Sequence, residues 1–332
     1  MNACQTITVA GGGSWGTALA HHCATLDMDV SLWLRDAAVA DAINRTHENP
    51  RYLRGAKLHS GVRATTDPAC LGNECVILAI PTQQLRTWLG AHDACFCERP
   101  VFINAAKGLE VGSLEPPSRI VAQTLATKDP QFAVLSGPSF ALEVIRGLPT
   151  AVVLASDNAS LGEALRGRLS STTLRCYSSQ DVTGVELGGA LTNVMAIAAG
   201  VCDGLGLGHN SRAGLITRGL AEISRIGCAM GASARTFVGL SGLGDLTLTC
   251  TGDLSRNRQV GLRLGKGEAL AHITETLGMV AEGVKTTSAV HTLAHKLGVD
   301  APITAAVHAI LFEGQSPGAA LHQLMTRTLK DE

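Results

Sequence analysis

No excess of either charge sign runs through this chain: 27 Lys and Arg face 28 Asp and Glu across 332 residues. A near-neutral chain carries no global basic field, which excludes a protein that holds nucleic acid or an anionic membrane surface by bulk electrostatics. Any anion must be caught locally. No Cys-x-x-Cys pair occurs among the ten cysteines, and no charged-then-apolar leader precedes the first apolar segment. Scattered cysteines of this kind are expected to stay reduced, in a cytoplasmic setting. The longest apolar stretches, such as Val194 to Val201, stop well short of a membrane-spanning length, so no transmembrane segment is expected. Low-complexity runs, internal repeats and Gly-x-Ser-x-Gly or Cys/His nucleophile patterns are also missing. His291 and His295 stand at a zinc spacing, but Thr292 holds the place where a metalloprotease carries its glutamate, and no metal is expected.

Hydrophobic side chains make up 45% of the chain, enough for one large core and more readily two. Ile7 to Ala10, Val30 to Leu34, Cys75 to Ile80, Val101 to Ala105, Phe132 to Ser136 and Thr150 to Ala155 read as short strands separated by mostly helix-length segments. Such alternation predicts a parallel sheet with helices on both faces and ligand-binding loops gathered along one edge. From about Asp181 the pattern turns helical, over Val185 to Gly200, Ala213 to Met230, Val260 to Leu264, Thr286 to Leu297 and Ile303 to Phe312. Gly204 to Gly208 and Gly239 to Gly244 read as helix breaks. The expected fold class is α/β: a Rossmann-type, mostly parallel sheet domain over residues 1–182, followed by an all-α substrate domain over 183–332.

Ile7-Thr8-Val9-Ala10 runs into Gly11-Gly12-Gly13-Ser14-Trp15-Gly16, and Thr17-Ala18-Leu19-Ala20 then opens a helix. That is a dinucleotide fingerprint in its required strand–turn–helix context. Gly11 permits the tight turn, Gly13 lets the backbone approach a pyrophosphate, and Gly16 lets helix and strand pack closely, while N–H groups of Ser14, Trp15 and Gly16 open the helix toward the phosphates. Counting 19 residues on from Gly16 reaches Arg35, where many NAD enzymes carry an acid for the ribose hydroxyls. A guanidinium suits a 2′-phosphate and admits NADP; Asp36 beside it leaves room for NAD. A solvated arginine at a strand end is the bland alternative.

Four further segments, Asn104-Ala105-Ala106-Lys107-Gly108-Leu109-Glu110, Ser136-Gly137-Pro138-Ser139-Phe140-Ala141, Gly242-Leu243-Gly244-Asp245-Leu246 and Ser255-Arg256-Asn257-Arg258, follow in order. Together with the glycine turn they resemble the bacterial NAD(P)-dependent glycerol-3-phosphate dehydrogenase family, from Ile7 to about Leu324. The resemblance implies reduction of dihydroxyacetone phosphate to sn-glycerol 3-phosphate for phospholipid synthesis, a homodimer, and an active site in the cleft between the domains. It assigns Gly137, Ser139 and Ala141 to the nicotinamide end of the cofactor, and Lys107, Arg256, Val280 and Glu282 to cofactor contacts. It also implies a substrate site of Lys107, Asn193, Asp245, Thr249, Ser255, Arg256 and Asn257, with the Arg256 guanidinium on the phosphate. Without the resemblance, Ser-Arg-Asn-Arg reads as a basic surface turn, and Asp245 and Thr249 as helix caps.

Gly184-Val185-Glu186-Leu187-Gly188-Gly189-Ala190-Leu191-Thr192-Asn193-Val194 matches the helix on which the family carries its catalytic lysine, and Thr192 stands in that place. Gly188 and Gly189 lie one turn before Thr192 and Asn193, a spacing read as clearing this face for a ligand. Threonine can donate a hydrogen bond but brings no charge. The catalytic set is therefore Thr192 as the family lysine position, with Lys107 and Asp245. The favoured account is a variant disabled at this position; a natural paralogue that binds without turnover, or an acid relocated to Lys107, are the others. A non-catalytic dinucleotide or metabolite sensor, and a sister dehydrogenase for a sugar acid or acyl thioester, remain as rival functions.

Overall fold

The computed structural model describes residues 5–278 and 281–328. Two units make up the chain: one runs to Lys107 and resumes over Glu115–Glu186, and the other takes Gly108–Leu114 and the chain from Leu187.

The first unit carries strands β1 (Thr6–Ala10), β2 (Asp29–Trp33), β3 (Glu48–Asn49), β4 (Leu53–Lys57), β5 (Val62–Thr65), β6 (Cys75–Leu78), β7 (Val101–Asn104), β8 (Gln131–Ser136), β9 (Thr150–Ala155) and β10 (Leu174–Ser179). Its helices are α1 (Ser14–Thr25), α2 (Ala37–Thr46), α3 (Thr82–Ala91), α4 (Pro117–Thr124), α5 (Ala141–Ile145) and α6 (Ala159–Leu169). Among the described residues, eight strands form one sheet in the order β10-β9-β8-β7-β6-β1-β2-β5, and β3 and β4 pair separately. Both faces are covered. Ile7, Ile77 and Ile103 point into the core beneath α1, while Val76, Leu78 and Phe102 alternate into the core of α3 and α4.

Every neighbouring pair in the large sheet is parallel except β8 and β9, which corrects the expectation of a parallel β9. The reason lies in the connection. A parallel neighbour needs a crossover that carries the chain back along the strand, roughly 20 Å for six residues. The five-residue α5 supplies only about 7 Å of helix. Strands β5 and β10, at the two sheet edges, were missed because both alternate buried and exposed residues, as in Val62-Arg63-Ala64 and Leu174-Arg175-Cys176. The strands expected were apolar runs, and edge strands bury one face only.

The second unit is helical: α7 (Val182–Gly204, within this unit from Leu187), α8 (Gly208–Ala229), α9 (Ala234–Phe237), α10 (Asp245–Thr251), α11 (Arg256–Gly265), α12 (Leu270–Leu277), α13 (Glu282–Leu297), α14 (Pro302–Phe312) and α15 (Pro317–Met325). Leu240–Gly244 form one π-helical turn that runs directly into α10, so the break expected over Gly239 to Gly244 is confined to Gly239. Helix α7 is longer than its apolar stretch suggests. By length and composition it could cross a membrane, but 94% of its most apolar window is buried, and Leu187, Leu191, Val194 and Ile197 form the spine of the unit's core.

Helix α11 lies backbone to backbone on α7. A Cβ on Gly261 would sit 1.9 Å from the Ile197 carbonyl oxygen, and one on Gly200 would sit 2.0 Å from that of Arg258. Glycines at 200, 204, 261 and 265 are what allow this approach. His291 stacks on His308 with ring centroids 4.0 Å apart, so it packs α13 on α14. Among the described residues no group of three metal-ligating side chains converges.

Glu186, at the start of α7, is 5% exposed, and its carboxylate accepts from the Ser118 backbone N–H (2.9 Å) and hydroxyl at the head of α4. Burial pushes its pKa up to about 7, against the pull of the Ser118 donors. With the folded pKa above the ordinary value of 4.5, the folded state binds the extra proton. Stability from this group is full below the lower value and declines as pH rises to about 7. Glu186→Gln is therefore expected to flatten the fall in thermal midpoint between about pH 5 and pH 8, as scanning calorimetry at several pH values would record. An unchanged pH profile would count against a protonated Glu186.

Candidate active site

The strand order changes direction between β1 and β6, the place where open α/β sheets bind ligands. The glycine turn sits there. Gly11 has φ +122°, and a Cβ on it would lie 2.5 Å from the Ala79 carbonyl oxygen just beyond β6. On Gly16 a Cβ would meet the Gly11 carbonyl oxygen at 1.9 Å, whereas on Gly13 it would meet nothing within 4 Å. Two of these glycines thus serve packing, and the third leaves its approach side open. Gly13 is also the N-cap of α1 and supplies no side-chain hydrogen bond to the first turn. Ser14 donates to the Tyr52 carbonyl (3.1 Å), and Trp15 packs half-buried against the core.

The same sheet edge carries the other expected residues of this unit. Arg35 follows β2 and is exposed; Asp36 beside it caps α2 by accepting from Ala38 N and Val39 N. After β7, the buried Asn104 side chain folds the chain over by bonding both the N–H and the carbonyl of Ala106, and so sets the departure of Lys107. Lys107 Nζ donates to the Gly137 carbonyl (3.2 Å), to which the Ser139 hydroxyl also donates (3.0 Å). Gly137 follows β8 with φ +138°, and Ala141 opens α5. From β2 to β8 the edge spans four strand spacings of about 4.8 Å. That is a length suited to an extended dinucleotide, with Arg35 at one end and Lys107, Gly137 and Ser139 at the other.

In the second unit a polar cluster is buried inside an otherwise apolar helix packing. Thr192 is fully buried, and its hydroxyl lies 2.8 Å from Asp245 Oδ2 and 3.1 Å from the Gly189 carbonyl. Asp245 is 1% exposed at the head of α10, and Thr249, one turn on, donates to its carbonyl. Asn193 accepts from Asn257 Nδ2 (2.7 Å), and Asn257 Oδ1 accepts from the N–H of Gly283 (3.0 Å) beside Glu282 at the head of α13. Ser255 caps α11 through the N–H of Arg258, and Arg256 is the first residue of that helix, half-buried. Residues of α7, α10, α11 and α13 are thereby joined in one network. Val280 lies outside the described residues.

One expectation is corrected here. Gly188 does not clear space for a ligand: a Cβ on it would lie 2.5 Å from the Ser241 carbonyl oxygen, so the bare face seats the π turn. The two arginines of Ser-Arg-Asn-Arg also differ in task. Arg258 is held by Asp203 at the end of α7 (Nε–Oδ2 2.9 Å) and by Asp253 (Nη1–Oδ1 2.8 Å), which anchors α11 on α7. Asn49 and Asp203 were missed from the sequence, since each acts through contacts with residues distant in the chain and belongs to no spaced motif.

Residues 6–162 match the family model described as NAD-dependent glycerol-3-phosphate dehydrogenase N-terminus, and residues 181–322 match its C-terminal counterpart. A glycerol-3-phosphate dehydrogenase [NAD(P)+] of Desulfovibrio desulfuricans is 63% identical over 98% of both chains, and one of Nitratidesulfovibrio vulgaris is 55% identical over 98% of this chain and 99% of its own. The crystal structure of a glycerol-3-phosphate dehydrogenase from Coxiella burnetii superposes with a TM-score of 0.93 at 38% identity, covering 97% of this chain and 99% of that one. With a switch-point glycine turn in one unit, a buried Thr–Asp–Asn network in the other and matches along nearly the whole length, this chain belongs to the NAD-dependent glycerol-3-phosphate dehydrogenase family of oxidoreductases.

Proposed function

We propose that this chain binds NADP or NAD together with dihydroxyacetone phosphate or sn-glycerol 3-phosphate and interconverts the two substrates, at a rate held down by Thr192. The observation that carries the reading is the Thr192 hydroxyl, fully buried and 2.8 Å from Asp245 at the point where the family resemblance calls for lysine. The first unit fits a dinucleotide on its own geometry, because the approach side of Gly13 is open where Gly11 and Gly16 are closed. When bound, the nicotinamide supplies or accepts the hydride.

The chain's own groups do the rest. The Arg256 guanidinium holds the substrate phosphate by paired hydrogen bonds, with Ser255 and Asn257 on the same helix start. Lys107 brings positive charge to the nicotinamide end, and Gly137, Ser139, Ala141 and Glu282 complete the cofactor contacts. Asp245 and Thr249 orient the substrate hydroxyls, with Asn193 beside them. Reduction of a carbonyl builds negative charge on oxygen, which a lysinium would neutralise and protonate. Threonine can only offer a neutral hydrogen bond, and here that hydrogen bond is shared between Asp245 and Gly189. A homodimer in the cytoplasm, serving phospholipid synthesis, belongs to the same reading and rests on the resemblance.

The commitment of the Thr192 proton also favours a second reading, a paralogue that binds both ligands without turnover. The deciding measurement is titration of NADPH fluorescence with the chain, followed by the rate of NADPH oxidation with dihydroxyacetone phosphate and with a panel of oxo acids and acyl thioesters. Binding with slow, dihydroxyacetone-phosphate-selective oxidation supports the enzyme, and binding with no oxidation supports the sensor. Faster oxidation with an oxo acid or a thioester sinks both.

A further inference from the structure

Segment 49–52, which runs from the last residue of β3 to the start of β4, is stitched to the glycine turn by one side chain. Asn49 is fully buried, and its amide nitrogen donates to the Gly12 carbonyl and to the Thr17 hydroxyl (both 2.9 Å). Its oxygen accepts from the backbone N–H groups of Arg51 (3.2 Å) and Tyr52 (3.1 Å). All of its hydrogen-bonding directions are in use, and Ser14 adds its bond to the Tyr52 carbonyl. The segment is therefore held rigidly over the first turn of α1, where the resemblance and the glycine geometry put the phosphates. From there Arg51 reaches across to the end of β2: its guanidinium contacts Asp36 Oδ2 at 3.3 Å and lies 5.4 Å from the Tyr52 ring centre.

The pairing changes what Asp36 can do. Its Oδ1 is engaged by the N–H groups of Ala38 and Val39, and its Oδ2 faces Arg51. Three of roughly four acceptor sites of this carboxylate are taken, which leaves about one for the two ribose hydroxyls of NAD while Arg51 stays in place. The exposed Arg35 immediately precedes it in the chain, so two arginines, one by adjacency and one by contact, stand at one occupied acid.

Resting on the proposed cofactor role of the first unit, we infer that Arg51 is a specificity-determining residue that joins Arg35 around the 2′-phosphate of NADP, exchanging Asp36 for the phosphate. The exchange is cheap because the ion pair is exposed, with side-chain accessibilities of 56% and 45%, and such pairs hold little energy. A phosphate offers more acceptor oxygens and more charge than the carboxylate it displaces. Asn49 is the positioning residue that keeps Arg51 in reach.

Calorimetric binding of 2′,5′-ADP and of 5′-ADP tests this without any need for turnover. The parent chain is expected to bind 2′,5′-ADP at least about tenfold more tightly, as one added charge-assisted hydrogen-bonding contact provides. Arg51→Gln should weaken 2′,5′-ADP by about tenfold and leave 5′-ADP within about twofold, with Arg51→Lys in between. Equal weakening of both nucleotides would mean a merely structural role and would overturn the inference, as would unchanged 2′,5′-ADP binding. If the parent chain binds neither nucleotide, the cofactor reading falls first and takes this one with it.

Discussion

Thr192→Lys is expected to raise kcat for reduction of dihydroxyacetone phosphate by about 10² to 10⁴, the range that a positioned general acid is worth, with cofactor affinity little changed. The site can receive the charge. A lysinium introduced at a fully buried position would be costly if unpaired, but Asp245 Oδ2, now 2.8 Å from the threonine hydroxyl, is a buried carboxylate placed to meet it. Lysine is also the better helix former, so α7 has no reason of its own to prefer threonine. Single-turnover kinetics on both proteins would separate chemistry from binding, and the pH profile of the Thr192→Lys variant should show a new ionisation that the parent lacks. Identical rates would mean that the acid sits elsewhere, and Lys107→Met in the parent would then test the remaining candidate.

Gly261→Ala is expected to destabilise the helical unit by about 3 kcal/mol or more, the upper end of what overpacking costs, because the new methyl would meet a backbone carbonyl at 1.9 Å. A side chain could turn aside, but the Ile197 carbonyl is part of α7 and cannot move without moving the helix. The predicted relief is a shift of α11, which carries Ser255, Arg256 and Asn257 at its head, so affinity for the substrate phosphate should fall as well. Gly214→Ala is the control. That glycine is exposed within α8 with nothing within 4 Å of a built Cβ, and alanine there should be neutral or stabilise by up to about 1 kcal/mol. Chemical denaturation of the two variants distinguishes the cases. Similar midpoints would show that α7 and α11 are not in backbone contact in solution.

Much of the architecture was legible because local chemistry wrote it. Ile7 to Ala10 followed by Gly11, Gly13 and Gly16 reads as a strand, a tight turn and a closely packed helix, and the central strands are mostly apolar because both of their faces are covered. The edge strands β5 and β10 escaped notice because half of each is polar, and the reversed β9 because strand direction depends on how far a connection can carry the chain. The candidate site divides in the same way. Arg256, Lys107 and Thr192 stand in recognisable segments, but the motif Ser-Arg-Asn-Arg does not tell its two arginines apart. Only Asp203 and Asp253, brought up from α7 and the preceding loop, show that Arg258 is an anchor and leave Arg256 at the helix head.

Sequence alone thus determined the apolar strands β1, β2 and β6 to β9, the helical character of the second half, the place of the glycine turn, the resemblance to the family and the absence of lysine at position 192, all of which can be read from neighbouring residues. Tertiary structure decided what those residues touch: that Gly188 seats a backbone turn, that Asp36 is already occupied, and that Asn49 ties a short hairpin to the glycine turn. The physical reason is that hydrogen bonds and close packing are made across space, between segments dozens of residues apart, and nothing in the local pattern at either end records its partner.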